Sequence, residues 1–193
     1  FRTHCLHRRM TSSSQFLDAK IQDQPVEQVV EEEEKTEEVT MDELISSMIT
    51  LSSYVNHLYT QAHLIHFNLE SPIFLAVHKF LRKAYREHIQ QFDTIAELVR
   101  SMDYFLPMCD RGLSSAYKGF KHVKSYSARD MLVTYVKNLE DGGMMAKKVA
   151  QMADLKDAPD VQNKLADICG QMFHIAYMLK STLRAQTGTQ PSE

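Results

Sequence analysis

Four long stretches of apolar residues, repeating at intervals of three and four, constrain the fold of this chain more than any other feature. Such spacing returns to one face of an α-helix, so each stretch predicts an amphipathic helix with one buried side. The stretches predict helices at about residues 41–67 and 73–101, a third through residues 132–153 and a fourth through residues 161–183. The chain is therefore predicted to be all-α.

The long connection between the second and third predicted helices indicates how the four helices are arranged. It contains about 25 residues, and its sequence predicts a short helix near residues 112–119. Four long helices with one long crossover are typical of a four-helix bundle. Gly142 and Gly143 fall within the third helix, where each costs about 1 kcal/mol relative to alanine, so we expect a kink or a close backbone approach there. Asp160 is predicted to cap the start of the fourth helix.

Composition fits one domain in a reducing compartment. With 193 residues, of which 44% are hydrophobic, the chain can bury a full core. It has no apolar run of about 18 residues, so no membrane span is expected. Its three cysteines are scattered without a CxxC pair, which favours free thiols over a disulfide framework and predicts a cytoplasmic protein.

The first 40 residues lack the helical stripes and differ in charge from the rest. They carry five Lys/Arg and nine Asp/Glu, including the stretch EEEEKTEE at residues 31–38. The rest of the chain carries 17 Lys/Arg and 16 Asp/Glu and is therefore close to neutral. This composition predicts a disordered, acidic N-terminal arm at residues 1–40. A single helical domain is predicted over residues 41–187, with a flexible C-terminal tail at residues 188–193.

The extreme N-terminus has two interpretations. Residues 1–17 contain three arginines and no acid, as an organellar transit peptide would. Alternatively, Met10 is the true start and residues 1–9 are upstream sequence. We favour the second interpretation, because no methionine precedes Met10 and the basic stretch is short.

Candidate metal ligands gather on the first two predicted helices. They are His66, His78, Asp93 and Glu97. If residues 73–101 form one helix, Asp93 lies about 22 Å beyond His78 along its axis, so no single ion contacts both in one chain. Antiparallel pairing of that helix with a second copy would bring the histidine end of one chain to the carboxylate end of the other, which predicts two equivalent sites per two-fold dimer.

The same residues resemble the signature of the Dps family of ferritin-like proteins. That signature reads His, eleven residues, His, three residues, Asp, ten residues, Asp, three residues, Glu. His66, His78, Asp93 and Glu97 match it, while Arg82 stands where the family has Asp. The surrounding HFN, AVH and DTIAE are similar to the family's HWN, AVH and DTxAE. With SARDML and AYMLKSTL further on, the resemblance covers about residues 41–186.

The resemblance implies a ferritin-like bundle that assembles through two-fold dimers into a dodecameric cage. It implies that Fe(II) is oxidised, with hydrogen peroxide preferred, and stored as ferric mineral, which limits oxidative damage. His66, His78, Asp93 and Glu97 would be the catalytic metal ligands, and such a His/carboxylate set can hold iron in both oxidation states. The ferritin centre inside one bundle is excluded, because no Glu is followed three residues later by His.

Iron access in such cages runs through acidic pores. The candidates for that role are Asp157, Asp160 and Asp167.

Arg82 leaves two functional alternatives open. Its guanidinium can reach out to solvent while the four ligands suffice. Alternatively, it pairs with Asp93 or Glu97 of the partner subunit and replaces the metal, which would make the protein a non-catalytic shell or interaction protein.

DNA compaction with nucleoid association is a third alternative. It requires a basic tail that contacts phosphate. From Met10 to residue 40 only Lys20 and Lys35 oppose the nine acids, so the arm should repel DNA unless the arginines of residues 1–9 are present.

The remaining histidines and aromatic residues are predicted to be structural. His63, His88 and His174 are not expected to bind metal, and His88 lies on an apolar stripe, which predicts a buried, hydrogen-bonded side chain. Tyr85 and Phe67, near the expected centre, are predicted to pack in the core.

Overall fold

The structure is a computed structural model that describes residues 39–187, with the side chains of residues 185–187 left out. This part of the chain contains five α-helices and no strand. They are α1 (Met41–Asn68), α2 (Phe74–Ser101), α3 (Asp110–Ser115), α4 (Ala128–Leu155) and α5 (Pro159–Thr187). The all-α prediction and the four long helices are confirmed. The acidic arm and the C-terminal tail lie outside the described residues.

The four long helices form one bundle around a shared core. α1 packs against α2 and α4, α4 packs along α5, and α2 also contacts α5. Each helix contributes side chains that are fully buried, among them Leu51, Leu81, Leu139 and Leu165. Burying one such leucine contributes about 1.5–3 kcal/mol. The predicted stripes therefore are the core faces of the helices.

Local sequence signals fix where the helices begin. Thr40 and Glu43 form a capping box at α1: the Thr40 N–H donates to the Glu43 carboxylate over 2.7 Å, and the Glu43 N–H donates to Thr40 Oγ1 over 3.2 Å. The hydrogen bonds that the Thr40 N–H and the Thr40 hydroxyl donate to the Glu43 carboxylate lower the pKa of Glu43. At α4 the Ser127 hydroxyl accepts from the Asp130 N–H over 3.3 Å.

Two predicted details of the helix boundaries are wrong. Asp160 does not cap α5, because the helix begins one residue earlier at Pro159, whose fixed φ and missing N–H suit a first helical position. The short helix spans Asp110–Ser115 rather than residues 112–119, and it starts where Cys109 Sγ accepts from the Gly112 N–H.

The paired glycines of α4 accommodate neighbouring side chains. The helix runs without interruption through them. A Cβ atom at Gly142 would lie 2.9 Å from Tyr54 Cε1, and one at Gly143 would lie 2.9 Å from Phe173 Cε2. The atoms that approach these two glycines are side-chain atoms, whereas the sequence predicted a kink or a close approach of the backbone.

Two further sequence predictions are also tested. No helix within residues 39–187 is long and apolar enough to cross a membrane. Cys109 and Cys169 are free thiols, the first exposed and the second partly buried.

Candidate metal centre

His66 and His78 lie side by side where α1 turns into α2. His66 occupies the last turn of α1, and His78 follows the start of α2 at Phe74. Their rings stack with centroids 3.7 Å apart and planes inclined by 18°. His66 Nδ1 contacts the backbone carbonyl of His78 at 2.9 Å, and His78 Nδ1 contacts the backbone carbonyl of His66 at 3.0 Å. The two residues are therefore joined by a reciprocal pair of hydrogen bonds.

These hydrogen bonds define the tautomer of both rings. A carbonyl oxygen can only accept, so each Nδ1 must carry the proton. In a neutral imidazole the other nitrogen, Nε2, is then unprotonated and available as a metal ligand. Metal-binding histidines commonly have their second ring nitrogen held in this way by a backbone carbonyl. His66 and His78 thus each present one nitrogen donor in a fixed orientation.

The surroundings favour the neutral form of His66. Its side chain is buried, and this burial lowers its pKa. The hydrogen bond to the His78 backbone partly offsets the effect, while the Coulombic interactions with His78, His63 and Arg82 lower the pKa further. His66 therefore remains a competent ligand to lower pH than an exposed histidine.

Aromatic side chains surround the pair. The Tyr85 ring lies 5.5 Å from His66, and the Phe74 ring lies 4.8 Å from His78. His63 is 4.4 Å from Tyr85 and 6.3 Å from His66. The presence of His63 at this centre was not predicted from the sequence. Its position three residues before His66, on the same helix face, is the signal that could have indicated it.

Asp93 and Glu97 lie elsewhere on α2. Both are exposed, one turn apart, and α2 runs unbroken from Phe74 to Ser101. Fifteen helical residues separate Asp93 from His78, about 22 Å of axial rise. Among residues 39–187 no group of three or more His, Cys, Asp or Glu side chains could hold a metal ion. One chain brings His66 and His78 together and leaves the two carboxylates apart from them.

Arg82 lies one turn beyond His78 on α2, with an exposed side chain. Its positive charge is close enough to lower the pKa of His66. Within residues 39–187, no ion pair involves Arg82, Asp93 or Glu97. Arg82 therefore places a cation near the histidine pair, and within residues 39–187 the carboxylates that could neutralise it have no basic partner.

The three aspartates predicted for iron access are all at the surface. Asp157, whose φ is positive at 53°, follows the end of α4. Asp160 lies in the first turn of α5, and Asp167 lies further along that helix. Acidic residues in a first helical turn also interact favourably with the helix dipole. Their role in iron access stays a prediction.

A four-helix bundle with its long crossover between α2 and α4 defines the ferritin-like class of proteins. The family model for the Ferritin-like domain matches residues 50–186, and the chain belongs to that family. A search of curated proteins finds no match.

Solved structures with the same fold are Dps proteins from several bacteria. The Dps of Staphylococcus aureus has a TM-score of 0.70 at 16% identity, with 75% of this chain and 97% of that chain covered. The Dps of Vibrio cholerae O1 has a TM-score of 0.68 at 15% identity, with 74% of this chain and 89% of that chain covered. The Dps of Thermosynechococcus elongatus has a TM-score of 0.70 at 13% identity, with 74% of this chain and 90% of that chain covered. The fold predicted from the Dps resemblance is confirmed.

Proposed function

We propose that this chain is a subunit of a Dps-type mini-ferritin that binds Fe(II) and oxidises it, with hydrogen peroxide as the preferred oxidant. The observation that carries the proposal is the stacked pair of His66 and His78, each with Nδ1 protonated and Nε2 available. Iron is the substrate, and the ferric product is stored as mineral inside a dodecameric cage. The protein would act in the cytoplasm and limit peroxide-driven damage.

The proposed centre needs two copies of the chain. His66 lies at the end of α1 and His78 near the start of α2, whereas Asp93 and Glu97 lie near the end of α2. Two α2 helices that pair antiparallel about a two-fold axis bring each histidine pair to the carboxylates of the partner subunit. Each dimer then contains two centres, and neither chain has a complete one alone.

The donor types suit the proposed chemistry. Imidazole nitrogen and carboxylate oxygen together bind Fe(II), and the carboxylates keep their affinity for Fe(III) after oxidation. Asp93 and Glu97 are four residues apart on α2, so their charges repel each other when no cation is bound. Binding a metal ion between two subunits would relieve that repulsion, and we propose Glu97 as the bridging or strongest ligand.

Ferrous oxidation by the metal-free protein tests the proposal. Fe(II) is added with hydrogen peroxide or with oxygen, and the rise in ferric absorbance is followed. The variant that combines Asp93→Ala with Glu97→Ala should fall to the background rate. A control that combines Asp130→Ala with Asp154→Ala removes two exposed carboxylates of α4 and should retain the rate of the unmodified protein. Equal rates in all three proteins would contradict a centre at Asp93 and Glu97.

A non-catalytic shell or interaction protein is the second candidate, and the position of Arg82 favours it. Its charge acts on His66, and in a two-fold dimer the guanidinium could pair with Asp93 or Glu97 of the partner subunit. A background rate of iron oxidation in a protein that still assembles into cages would support this candidate. Retardation of DNA that weakens with salt would instead support DNA compaction, against which the acidic arm argues.

A further inference from the structure

The bundle interior contains a chain of hydrogen bonds that the proposed iron chemistry does not use. His88 on α2 and Tyr135 on α4 are both fully buried, and His88 Nε2 lies 2.7 Å from the Tyr135 hydroxyl oxygen. His88 Nδ1 lies 2.8 Å from Gln91 Oε1, and Gln91 Nε2 donates to Gln171 Oε1 on α5 over 2.9 Å. Three helices, α2, α4 and α5, are thereby connected through polar side chains.

The direction of each hydrogen bond follows from its neighbours. Gln91 Oε1 is an amide oxygen and can only accept, so His88 Nδ1 carries the proton. In the neutral ring Nε2 is then an acceptor, and the Tyr135 hydroxyl must be the donor to it. The phenol of Tyr135 therefore points its proton at an unprotonated nitrogen over a short, buried contact.

We propose that Tyr135 and His88 form a one-electron redox pair, a function separate from the iron centre. A peroxide-derived radical such as the hydroxyl radical takes one electron from Tyr135 and becomes hydroxide. The phenolic O–H bond breaks, and its proton moves to His88 Nε2. The products are a neutral tyrosyl radical and an imidazolium. A one-electron reductant such as ascorbate restores the phenolate oxygen, and the proton returns from His88.

The electrostatics of the site require the proton and the electron to leave together. Burial raises the pKa of Tyr135 well above its ordinary value, so the phenol does not ionise by itself. Burial also lowers the pKa of His88 to about 4, which keeps its ring unprotonated and able to accept at neutral pH. The carboxylate of Glu87 is close enough to act on Tyr135, and its negative charge would offset the imidazolium.

Tyr54 provides a matched comparison within the same core. It is also buried, and its hydroxyl donates over 2.8 Å, but the acceptor is the backbone carbonyl of Asn138. An amide carbonyl is not a base that can take the proton. Tyr54 therefore resembles Tyr135 in burial and hydrogen bonding, and it differs in the one property that the proposal requires.

The experiment uses the full, iron-free protein and a photogenerated ruthenium(III) polypyridyl complex as the one-electron oxidant. Electron paramagnetic resonance and absorbance near the tyrosyl band report the radical. The unmodified protein and Tyr54→Phe should form a long-lived radical, and Tyr135→Phe should lose it. His88→Gln keeps a hydrogen-bond acceptor but no base, and it should slow radical formation by about 100-fold, the scale of a positioned proton acceptor.

A measurement on the unmodified protein guards against variants that fail to fold. In heavy water its radical should show the magnetic coupling of one exchangeable deuteron, held by His88. An unmodified protein without a radical, or a radical that persists unchanged in Tyr135→Phe, would overturn the proposal and leave the hydrogen bond as purely structural. Because no iron is used, this outcome is independent of the proposed ferrous oxidation.

Discussion

His66 and His78 each donate a hydrogen bond from Nδ1 to the backbone carbonyl of the other, and their rings stack at 3.7 Å. This arrangement joins the end of α1 to the start of α2 and leaves both Nε2 atoms available. In each ring the Nδ1–H group therefore has a structural role, because it holds the two helices together. The Nε2 atom of the same ring has the proposed metal-binding role. The two roles are carried by different atoms of the same ring.

Substitutions at His78 separate these roles. His78→Ala removes both, and the loss of its hydrogen bond and stacking should lower the free energy of unfolding by about 1–2 kcal/mol. His78→Asn retains an N–H donor near the position of Nδ1, so it should recover most of that stability. Neither variant should bind Fe(II) at this centre. Thermal unfolding and metal titration of both variants check the expectation, and full metal binding by His78→Asn would contradict it.

Replacing Arg82 with aspartate should strengthen iron binding. The change removes a positive charge near His66 and supplies a carboxylate where the Dps resemblance expects one. Two unit charges 4 Å apart interact with an energy of about 4 kcal/mol at an effective dielectric of 20. If the substitution improves the binding free energy by only a third of that value, the affinity for Fe(II) rises about tenfold. Isothermal titration calorimetry with Fe(II) under anaerobic conditions measures this change in affinity.

Lys83→Asp is the control for Arg82→Asp. Lys83 is the adjacent, exposed residue of α2, and its substitution makes the same change in net charge. The affinity should rise in Arg82→Asp and stay nearly constant in Lys83→Asp. Equal gains in both variants would indicate a general charge effect rather than a ligand at position 82.

Buried His88 should make stability fall in mild acid. Its pKa is lowered to about 4 by burial, whereas in the unfolded chain it is close to the ordinary value of about 6.5. Below pH 6.5 the unfolded state binds a proton that the folded state does not, so the stability falls until the pH reaches about 4. At 1.36 kcal/mol per pH unit this one group contributes a loss of about 3 kcal/mol.

Urea unfolding of the unmodified protein and His88→Gln, at several pH values between 7 and 4, tests this dependence. The variant should be less stable at pH 7, because its smaller side chain fills the buried site less completely, and it should lose less stability on acidification. Parallel pH profiles for the two proteins would mean that His88 does not carry the effect.

Two glycines should respond in opposite directions to the same substitution. A Cβ at Gly142 would lie 2.9 Å from Tyr54 Cε1 and 3.0 Å from Met172 Sδ, whereas a Cβ at Gly170 in α5 meets no atom within 4 Å. Gly142→Ala should therefore destabilise the bundle by about 1–3 kcal/mol through overpacking. Gly170→Ala should stabilise it by about 0.5–1 kcal/mol through helix propensity.

Calorimetric unfolding of both glycine variants compares the two effects directly. A higher melting temperature for Gly142→Ala than for Gly170→Ala would contradict the close packing of α4 against Tyr54. The same result would also remove the reason for a glycine at position 142.

The helices could be predicted from the sequence, and the geometry of the histidine pair could not. Apolar spacing of three and four indicates which face of a helix is buried, so α1 and α2 were recovered nearly to the residue. The start of α5 was misplaced because an aspartate suits both a cap and a first turn, and Pro159 decided between them. Spacing alone does not define ring orientation, so the reciprocal hydrogen bonds of His66 and His78 appear only in the structure.

The separation of the proposed ligands was also accessible from the sequence. Fifteen residues between His78 and Asp93 in one helix require two distant half-sites, and residues 39–187 indeed contain no complete metal-binding group. The position of His63 beside His66 and Tyr85 was not predicted, because contacts between α1 and α2 depend on how the two helices are rotated about their axes.

Mixing two inactive variants tests the shared centre most directly. One chain carries His66→Ala and His78→Ala, the other carries Asp93→Ala and Glu97→Ala, and the two are co-expressed with different tags. A mixed dimer contains one centre with all four ligands and one with none, so random pairing should restore ferrous oxidation to about a quarter of the unmodified rate. A mixture that stays as inactive as each variant alone would contradict a centre built from two subunits.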